Sequence, residues 1–223
     1  MEISIELGDK QDLEWAQETV EQYHYLHRRA NCRSRLMVYI VRHRDRSPLG
    51  LIMVGLPHAT KCRGWWGYPG YPTQWQVLDL CRIYLSPIVQ FGGALAKPGL
   101  VPGFIDRNDV FRPTVASWAI EEVLNKVGRD WVSYSPPVFL DQPYHIRIVI
   151  SYHDPAYHSG SIYRYAGAQA VYTDKEGSPL PGPSGKYCWA WHLPRPSWEW
   201  HQIKILRSRN IRMDFKNHRI KAL

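Results

Sequence analysis

Hydrophobic residues recur along the chain at two spacings, which predict an alternating series of strands and helices. Apolar residues alternate near the N-terminus, and the runs "LMVYIVRH", "LGLIMVGLP", "VLDLCRIYLSP" and "HIRIVISYHD" are rich in β-branched and other apolar residues, as expected for strands. In two other stretches apolar residues recur every three or four positions, which predicts helices over about residues 9–27 and 114–128. A short helix over about 161–167 and a strand, "QAVYTD", complete the series.

Local residues indicate where the helices begin and end. Asp9 or Asp12 is expected to cap the first helix and Thr114 the second, because short polar side chains accept hydrogen bonds from first-turn amides. Ser161 is the corresponding candidate for the third helix. Gly128 is expected to end the second helix.

The predicted order is β, α, β, β, β, α, β, α, β, which indicates an α+β fold with a mixed central sheet and helices on both faces. With 223 residues the chain is long enough for one well-packed domain and short for two. We expect one main domain with loop insertions over residues 1–175. Residues 176–223, which are rich in Pro and Trp and then basic, form a predicted C-terminal extension packed on it.

The charge of the chain bears on the kind of partner it binds. The formal net charge is +8, and the basic residues are clustered. Residues 27–46 contain seven arginines and one aspartate, and residues 201–223 contain seven Lys or Arg and one aspartate. Dense basic clusters favour a polyanionic partner, since Lys and Arg gain affinity by releasing counterions from phosphates. The alternative is an ordinary solvated surface.

Cysteine usage and hydropathy bear on the compartment. The four cysteines form no C-x-x-C pair, so neither a zinc ribbon nor a disulfide framework is indicated. No apolar run approaches the roughly 20 residues of a membrane span, and the acidic N-terminal stretch is unlike a signal peptide. We therefore expect a cytoplasmic protein without a membrane partner.

The segment from Val149 to Asp174 concentrates acid–base side chains where a strand ends and a helix begins. On a regular strand Tyr152 and Asp154 share one face, while Ser151 lies on the other. Asp154 is the first candidate for a general base and His158 the second. The alternative for Asp154 is a turn residue before a proline.

Two further positions are candidates for contacts with a ligand. Asp79 and Arg82 are three residues apart, so both can line one site only if a β-bulge lies between them. A structural ion pair with other partners is the alternative. Ser117 lies in the first turn of its helix, where its hydroxyl can contact a donor molecule or bond a backbone carbonyl.

The chain resembles known transferases at these positions. In "YRYAG", Tyr163 lies four residues before a glycine, which resembles the last helix of GNAT acyltransferases, where such a tyrosine is the general acid. Over about residues 20–175 the chain more specifically resembles phage DNA-modification proteins of the Mom type. The shared pattern is "HY", an acid-x-x-Arg strand, a helical Ser and a late "S-Y-x-D-P…H-x-G-x-x-Y". Here it falls on His24, Tyr25, Asp79, Arg82, Ser117, Ser151, Tyr152, Asp154, His158, Gly160 and Tyr163.

This resemblance implies a GNAT-like transferase of phage or prophage origin. Such an enzyme converts adenine in DNA to an N6-carbamoylmethyl form and so has an antirestriction role. Its implied partners are double-stranded DNA and a small-molecule donor. The implied catalytic residues are Asp154, Tyr163, His158, Tyr152 and Ser151, and the implied substrate-binding residues are Asp79, Arg82, Ser117, His24, Tyr25 and Gly160.

DNA contacts are expected outside the reaction centre. Four arginines of the first basic cluster are candidates for binding DNA: Arg28, Arg29, Arg33 and Arg35. Chemistry at N6 requires the base to leave the duplex, and Trp65 and Trp66 could stack on an extruded base. The alternative is that these aromatic residues cap the core.

The chain departs from the GNAT pattern at the cofactor. GNAT enzymes that use acyl-CoA carry a glycine-rich turn whose amides bind pyrophosphate, whereas the corresponding stretch here, "FRPTVAS", has no glycine. Acetyl-CoA bound in the usual manner is therefore not expected, and the cofactor is left unknown. His153, Asp154 and His158 could hold iron or zinc, but their spacing fits no closed-site pattern, so no metal ligands are predicted.

Two alternative functions stay open after the sequence alone. One is an acyl-CoA-dependent GNAT N-acetyltransferase, and the other is a non-catalytic nucleic-acid-binding protein on a GNAT scaffold. With any of these functions the chain could form an oligomer.

Overall fold

The computed structural model describes residues 3–32, 36–57, 76–90, 104–105, 111–112, 114–134, 146–193, 211–214 and 219–222. The strands within these ranges are β1 (Ile3–Leu7), β2 (Met37–His43), β3 (Pro48–Gly55), β4 (Val77–Leu85), β5 (Phe104–Ile105), β6 (Phe111–Arg112), β7 (Ile148–His153), β8 (Gln169–Ala170), β9 (Tyr187–His192), β10 (Ile211–Asp214) and β11 (Arg219–Ala222). The helices are α1 (Lys10–Tyr23), α2 (Pro87–Gln90), α3 (Val115–Leu124), α4 (Val127–Tyr134) and α5 (Ser161–Tyr165).

Seven strands form one central sheet in the order β1-β2-β3-β4-β7-β9-β8. Strands β4 and β7 are parallel, and every other neighbouring pair in this sheet is antiparallel. Strands β5 and β6 form a separate antiparallel pair, as do β10 and β11. The predicted α+β fold with a mixed sheet is confirmed.

Strand β9 lies between β7 and β8 in this sheet, although its residues follow position 175 in the sequence. The sheet therefore continues to His192, beyond the predicted end of the transferase domain. Its residues, "YCWAWH", contain two buried tryptophans, and their burial against the sheet explains why this aromatic run forms a central strand.

The helices cover both faces of the sheet, as predicted. Alternate residues of β2 divide between two buried clusters. Met37, Tyr39 and Val41 face the cluster that includes α3 and α4, whereas Val38 and Ile40 face the cluster that includes α1. Among the described residues no helix is long and apolar enough to cross a membrane.

The N-terminal caps of α1 and α3 follow the predictions. Asp9 accepts a hydrogen bond from the amide of Asp12 at 2.9 Å, and Asp12 accepts from the amide of Asp9 at 3.2 Å, so the two form a capping box. Thr114 accepts from the amide of Ser117 at 3.1 Å and caps α3.

Three other predicted helix boundaries are wrong. Helix α1 ends at Tyr23 rather than near residue 27. Helix α3 ends at Leu124 with Asn125 as its C-cap, and Gly128 lies inside the following helix rather than at the end of α3. Ser161 is the first residue of α5 rather than its cap. Gly160 takes the cap position in a left-handed conformation, with φ of 71°.

Candidate active site

The site is organised by a bulge in β4. In the pairing of β3 with β4, Met53 faces Arg82 but Val54 faces Leu80, so Cys81 is an extra residue between them. This bulge brings Asp79 and Arg82 to the same side of the strand, and both line one cavity. The bulge that the sequence required for these two residues is therefore present.

The cavity opens where β4 and β7 separate. The two strands pair only from Val77 to Asp79 on β4 and from Ile148 to Ile150 on β7. Just beyond the last pair, the Ser151 hydroxyl donates to the carbonyl of Leu80 at 2.9 Å. The cavity has a volume of about 530 Å³, which suits a small molecule.

Most of the sequence-predicted site residues meet at this cavity. Eight predicted catalytic or substrate-binding residues line it: His24, Tyr25, Asp79, Arg82, Ser151, Tyr152, His158 and Tyr163. They come from three segments of chain that are far apart in the sequence, and Arg28, predicted to bind DNA, joins them at the cavity. Among the described residues, Asp154, Ser117, Gly160 and Arg29 do not line it. Arg33, Arg35, Trp65 and Trp66 lie outside the described residues.

His24 enters the cavity from the end of α1, where it is the C-cap residue and is 8 % exposed. Its Nδ1 accepts a hydrogen bond from the amide of Leu26 at 3.2 Å, which leaves the proton of the neutral ring on Nε2. Burial, together with the nearby charge of Arg82, lowers the pKa of His24 to about 4. His24 is therefore a neutral hydrogen-bond donor at pH 7.

His158 packs beside an aromatic pair. The rings of Tyr25 and Tyr157 are stacked with centroids 4.5 Å apart, and His158 meets Tyr25 edge-on at 4.9 Å. Burial lowers the pKa of His158, and the carboxylate of Asp154 acts in the opposite direction. Its Nε2 is buried and has no hydrogen-bond partner within the described part of the chain. A neutral imidazole with an unused nitrogen is suited to accepting a proton.

Asp154 has a different geometry from the one expected of a base. Its carboxylate accepts from the amide of Ala156 at 3.0 Å, and its carbonyl accepts from the amides of Tyr157 and His158 at 3.1 and 3.2 Å. These are the contacts of a turn residue, which was the alternative for this position. The turn places His158 beside the cavity, while Asp154 itself lies outside the lining.

Tyr163 lines the cavity from α5 and is 4 % exposed. Burial raises the pKa of its phenol to about 12, and a hydrogen bond with Ser151 acts in the opposite direction. The hydroxyl therefore keeps its proton at neutral pH and can donate a hydrogen bond or act as a general acid.

Gly160 acts on the packing beneath the site rather than on the cavity. A Cβ added to this residue would lie 2.5 Å from Cε1 of His153, so only glycine fits. The Nδ1 of His153 accepts a hydrogen bond from Nε1 of Trp189 at 2.6 Å, and its ring stacks on Tyr187. The expectation that Gly160 binds substrate finds no support in this geometry.

Ser117 is 2 % exposed and is engaged by the backbone of its own helix. Its hydroxyl donates to the carbonyl of Thr114 at 3.1 Å and lies 2.9 Å from the Thr114 hydroxyl. This is the backbone-bonded alternative for Ser117. Arg29, one of the predicted DNA contacts, forms an exposed ion pair with Glu21 at 3.0 Å.

Several cavity residues were not predicted from the sequence. Thr114 and Ala116, at the start of α3, line the cavity, as do Ser184 and Lys186, which precede β9. Strand β9 was not part of the predicted sheet. For this reason no pattern in the sequence indicated that Lys186, which immediately precedes β9, lies near the site. Among the described residues no group of three or more His, Cys, Asp or Glu side chains is arranged to hold a metal ion.

Comparisons with known proteins give remote structural similarities. No family model and no curated protein sequence matches the chain, so the resemblance to Mom-type proteins stays a prediction. The spermidine/spermine N-acetyltransferase SpeG from Vibrio cholerae has a TM-score of 0.46 and 8 % identity, over 88 % of this chain and 100 % of that one. NAA60 from Arabidopsis thaliana, solved with acetyl-CoA, has a TM-score of 0.47 and 11 % identity, over 86 % and 99 %. A GNAT-family acetyltransferase from Staphylococcus aureus has a TM-score of 0.44 and 9 % identity, over 86 % and 99 %.

Proposed function

We propose that this protein is a transferase that moves a small group from a small-molecule donor to the N6 amine of adenine in DNA. The observation that carries the proposal is the convergence at one cavity of eight motif residues from three distant segments. A motif that had matched by chance would have no reason to assemble around a common space. This convergence supports a shared role for these residues at one ligand site.

The chemistry of the cavity suits transfer to a weakly nucleophilic amine. The lone pair of an adenine N6 amine is delocalised into the ring, so bond formation needs an acceptor for the departing proton. We assign this role to His158, whose buried Nε2 is unused among the described residues and whose pKa is lowered by burial. Tyr163, protonated at neutral pH, is suited to donate a proton to the leaving group. His24 is suited to donate a hydrogen bond to an electron-rich atom of the donor.

Two features favour DNA as the source of the amine. The net charge of +8 supplies affinity for a polyanion, and Arg28 of the first basic cluster lines the cavity. The stacked rings of Tyr25 and Tyr157 lie beside His158, with Tyr157 62 % exposed. Aromatic faces of this kind stack on bases that have left the duplex.

The test is mass spectrometry of nucleosides from the DNA of cells that express the protein. We expect a modified adenine with wild-type protein and a loss of about 100-fold or more with His158→Gln, as for removal of a general base. The control is His43→Gln, because His43 is partly exposed, pairs with Asp45 and does not line the cavity. The proposal would be refuted if DNA from cells that express the wild-type protein contained no modified adenine.

A second candidate, an acyl-CoA-dependent N-acetyltransferase, is favoured by one observation. Thr114 and Ala116 line the cavity, so the first turn of α3 opens on it, and helix N-termini favour the phosphates of a nucleotide cofactor. Calorimetry with acetyl-CoA separates the candidates. A dissociation constant in the micromolar range, with no modified adenine in DNA, would support this second function. Salt-sensitive DNA binding with neither result would support a non-catalytic binding protein.

A further inference from the structure

Arg82 lines the cavity with its guanidinium held in place by the backbone. Its NH1 donates to the carbonyl of Cys81 at 2.6 Å, which fixes the guanidinium against the bulge. Its Nε is buried and has no hydrogen-bond partner within the described ranges. The planar guanidinium matches the oxygen atoms of carboxylates and phosphates.

Lys186 brings a second cation to the same cavity from the residue before β9, which lies two strands from β4 in the sheet. A tight turn holds it in place: the Gly182 amide donates to the Lys186 carbonyl at 2.8 Å, and Gly185 adopts a φ of 75°. This turn leads directly into β9, which pairs with β7. Lys186 is thus fixed relative to the strand that carries Ser151 and Tyr152.

Positive charge predominates in the described lining of the cavity. Arg28, Arg82 and Lys186 are its basic residues, and Asp79 is its acidic one. This charge acts on His24, because Arg82 is the second cause, after burial, of the lowered pKa of that residue. A neutral or cationic small molecule bound in the cavity would leave this excess of positive charge uncompensated.

We propose that the cavity contains a subsite for an oxyanion of the small-molecule donor, formed by Arg82 and Lys186 with Arg28 near it. That the bound molecule is the group donor rests on the proposed function, whereas the presence of an oxyanion subsite rests on the residues named above. A free small molecule is favoured over a DNA phosphate because the cavity that Arg82 lines is bounded by buried side chains, among them His24 at 8 % and Tyr163 at 4 % exposed. The phosphates of a polymer stay at the surface when a base enters a pocket.

The test follows histidine resonances of the full-length protein by NMR as inorganic phosphate or acetate is added at constant ionic strength. We expect saturable shifts of His24 and His158 with one of these probes and none with chloride. The pKa of His24 should rise when the anion binds, because the anion offsets the charge of Arg82. The probe that binds more tightly identifies the oxyanion as phosphate or carboxylate.

Two matched variants assign the subsite. Lys186→Met should weaken binding of the probe at least tenfold, whereas Lys175→Met should leave it unchanged, because Lys175 lies in an exposed turn away from the cavity. Arg82→Met should abolish binding of the probe if that variant folds. If Arg82→Met does not fold, the result for Lys186→Met tests the subsite by itself. Equal affinities for the two lysine variants, or no saturable shift in the wild type, would overturn the subsite.

A final arm separates the donor from DNA. A short duplex should leave the bound probe in place, and its stoichiometric displacement would assign the anion to the DNA backbone and overturn the proposal. The result is independent of the test of function. Probe binding without modified adenine refutes the DNA-modification function alone, whereas modified adenine without probe binding refutes the subsite alone.

Discussion

Replacing Gly160 with alanine tests the packing that supports the site. Gly160 has a φ of 71°, and the new Cβ would lie 2.5 Å from Cε1 of His153. His153 cannot move freely, because Trp189 donates to its Nδ1 at 2.6 Å and Tyr187 stacks on its ring with centroids 5.0 Å apart. The substitution therefore combines backbone strain with a steric overlap in a buried region.

The magnitude follows from these two causes. A left-handed conformation costs an alanine about 1–2 kcal/mol, and overpacking costs about 1–3 kcal/mol, so we expect a loss of about 3 kcal/mol. In a chain of this size that loss lowers the Tm by about 6–12 °C. The control is Gly177→Ala, since Gly177 has a φ of 89° but no atom within 4 Å of the added Cβ. It should lose only about 1–2 kcal/mol from the backbone conformation.

The assay is urea unfolding of both variants, with thermal melts as a second measurement. In a His153→Ala background the overlap disappears, so Gly160→Ala should then cost no more than Gly177→Ala. Equal losses for Gly160→Ala and Gly177→Ala in the native background would refute the steric argument. The left-handed backbone conformation would then be the remaining structural reason for a glycine at position 160.

Three further outcomes are expected. Asp154→Asn should keep its turn, fold stably and retain activity at neutral pH. The pKa of His158, measured by NMR, should fall further, because the substitution removes a carboxylate that raises it. Loss of DNA modification in a folded variant would return the role of base to Asp154. Stability measured by urea unfolding should decrease as pH falls from about 6.5 to about 4. In the folded protein His24 and His153 each have a pKa of about 4 and stay neutral in this window, whereas in the unfolded chain both residues take up protons. A stability that does not change with pH in this window would contradict these pKa values. Ser151→Ala should cost about 1–3 kcal/mol in the same assay, because it leaves a buried carbonyl of the neighbouring strand without its 2.9 Å hydrogen bond.

Much of the sheet could be predicted from the sequence because its strands are runs rich in apolar and β-branched residues. The hairpin of β2 and β3 consists of two continuous apolar runs, and the two faces of β2 pack into two different clusters. Strand β9 was missed because "YCWAWH" follows a stretch rich in glycine and proline and consists mainly of aromatic residues. Its place in the sheet depends on pairing with β7, a contact that no local pattern encodes.

The candidate site was predicted in part, and the differences have physical causes. Asp79 and Arg82 meet at the cavity because of a bulge, which the three-residue spacing required but could not itself establish. Asp154 was assigned the base by its residue type, whereas its hydrogen bonds to the following amides are those of a turn. Lys186 reaches the cavity only through the tertiary position of β9. Residue type and spacing thus indicated the region, and long-range contacts determined which side chains face it.

The bulge at Cys81 has a consequence at the level of the gene. Strand β4 carries one residue more than its pairing with β3 needs, and it stops pairing with β7 two residues before this extra position. Deleting the single codon for Cys81 would leave the alternation on either side unchanged, so the strand would still fit the sheet. We expect the straightened strand to continue along β7 and to fill the space that now forms the cavity. One in-frame deletion would then convert a chain with a binding site into a folded scaffold without one.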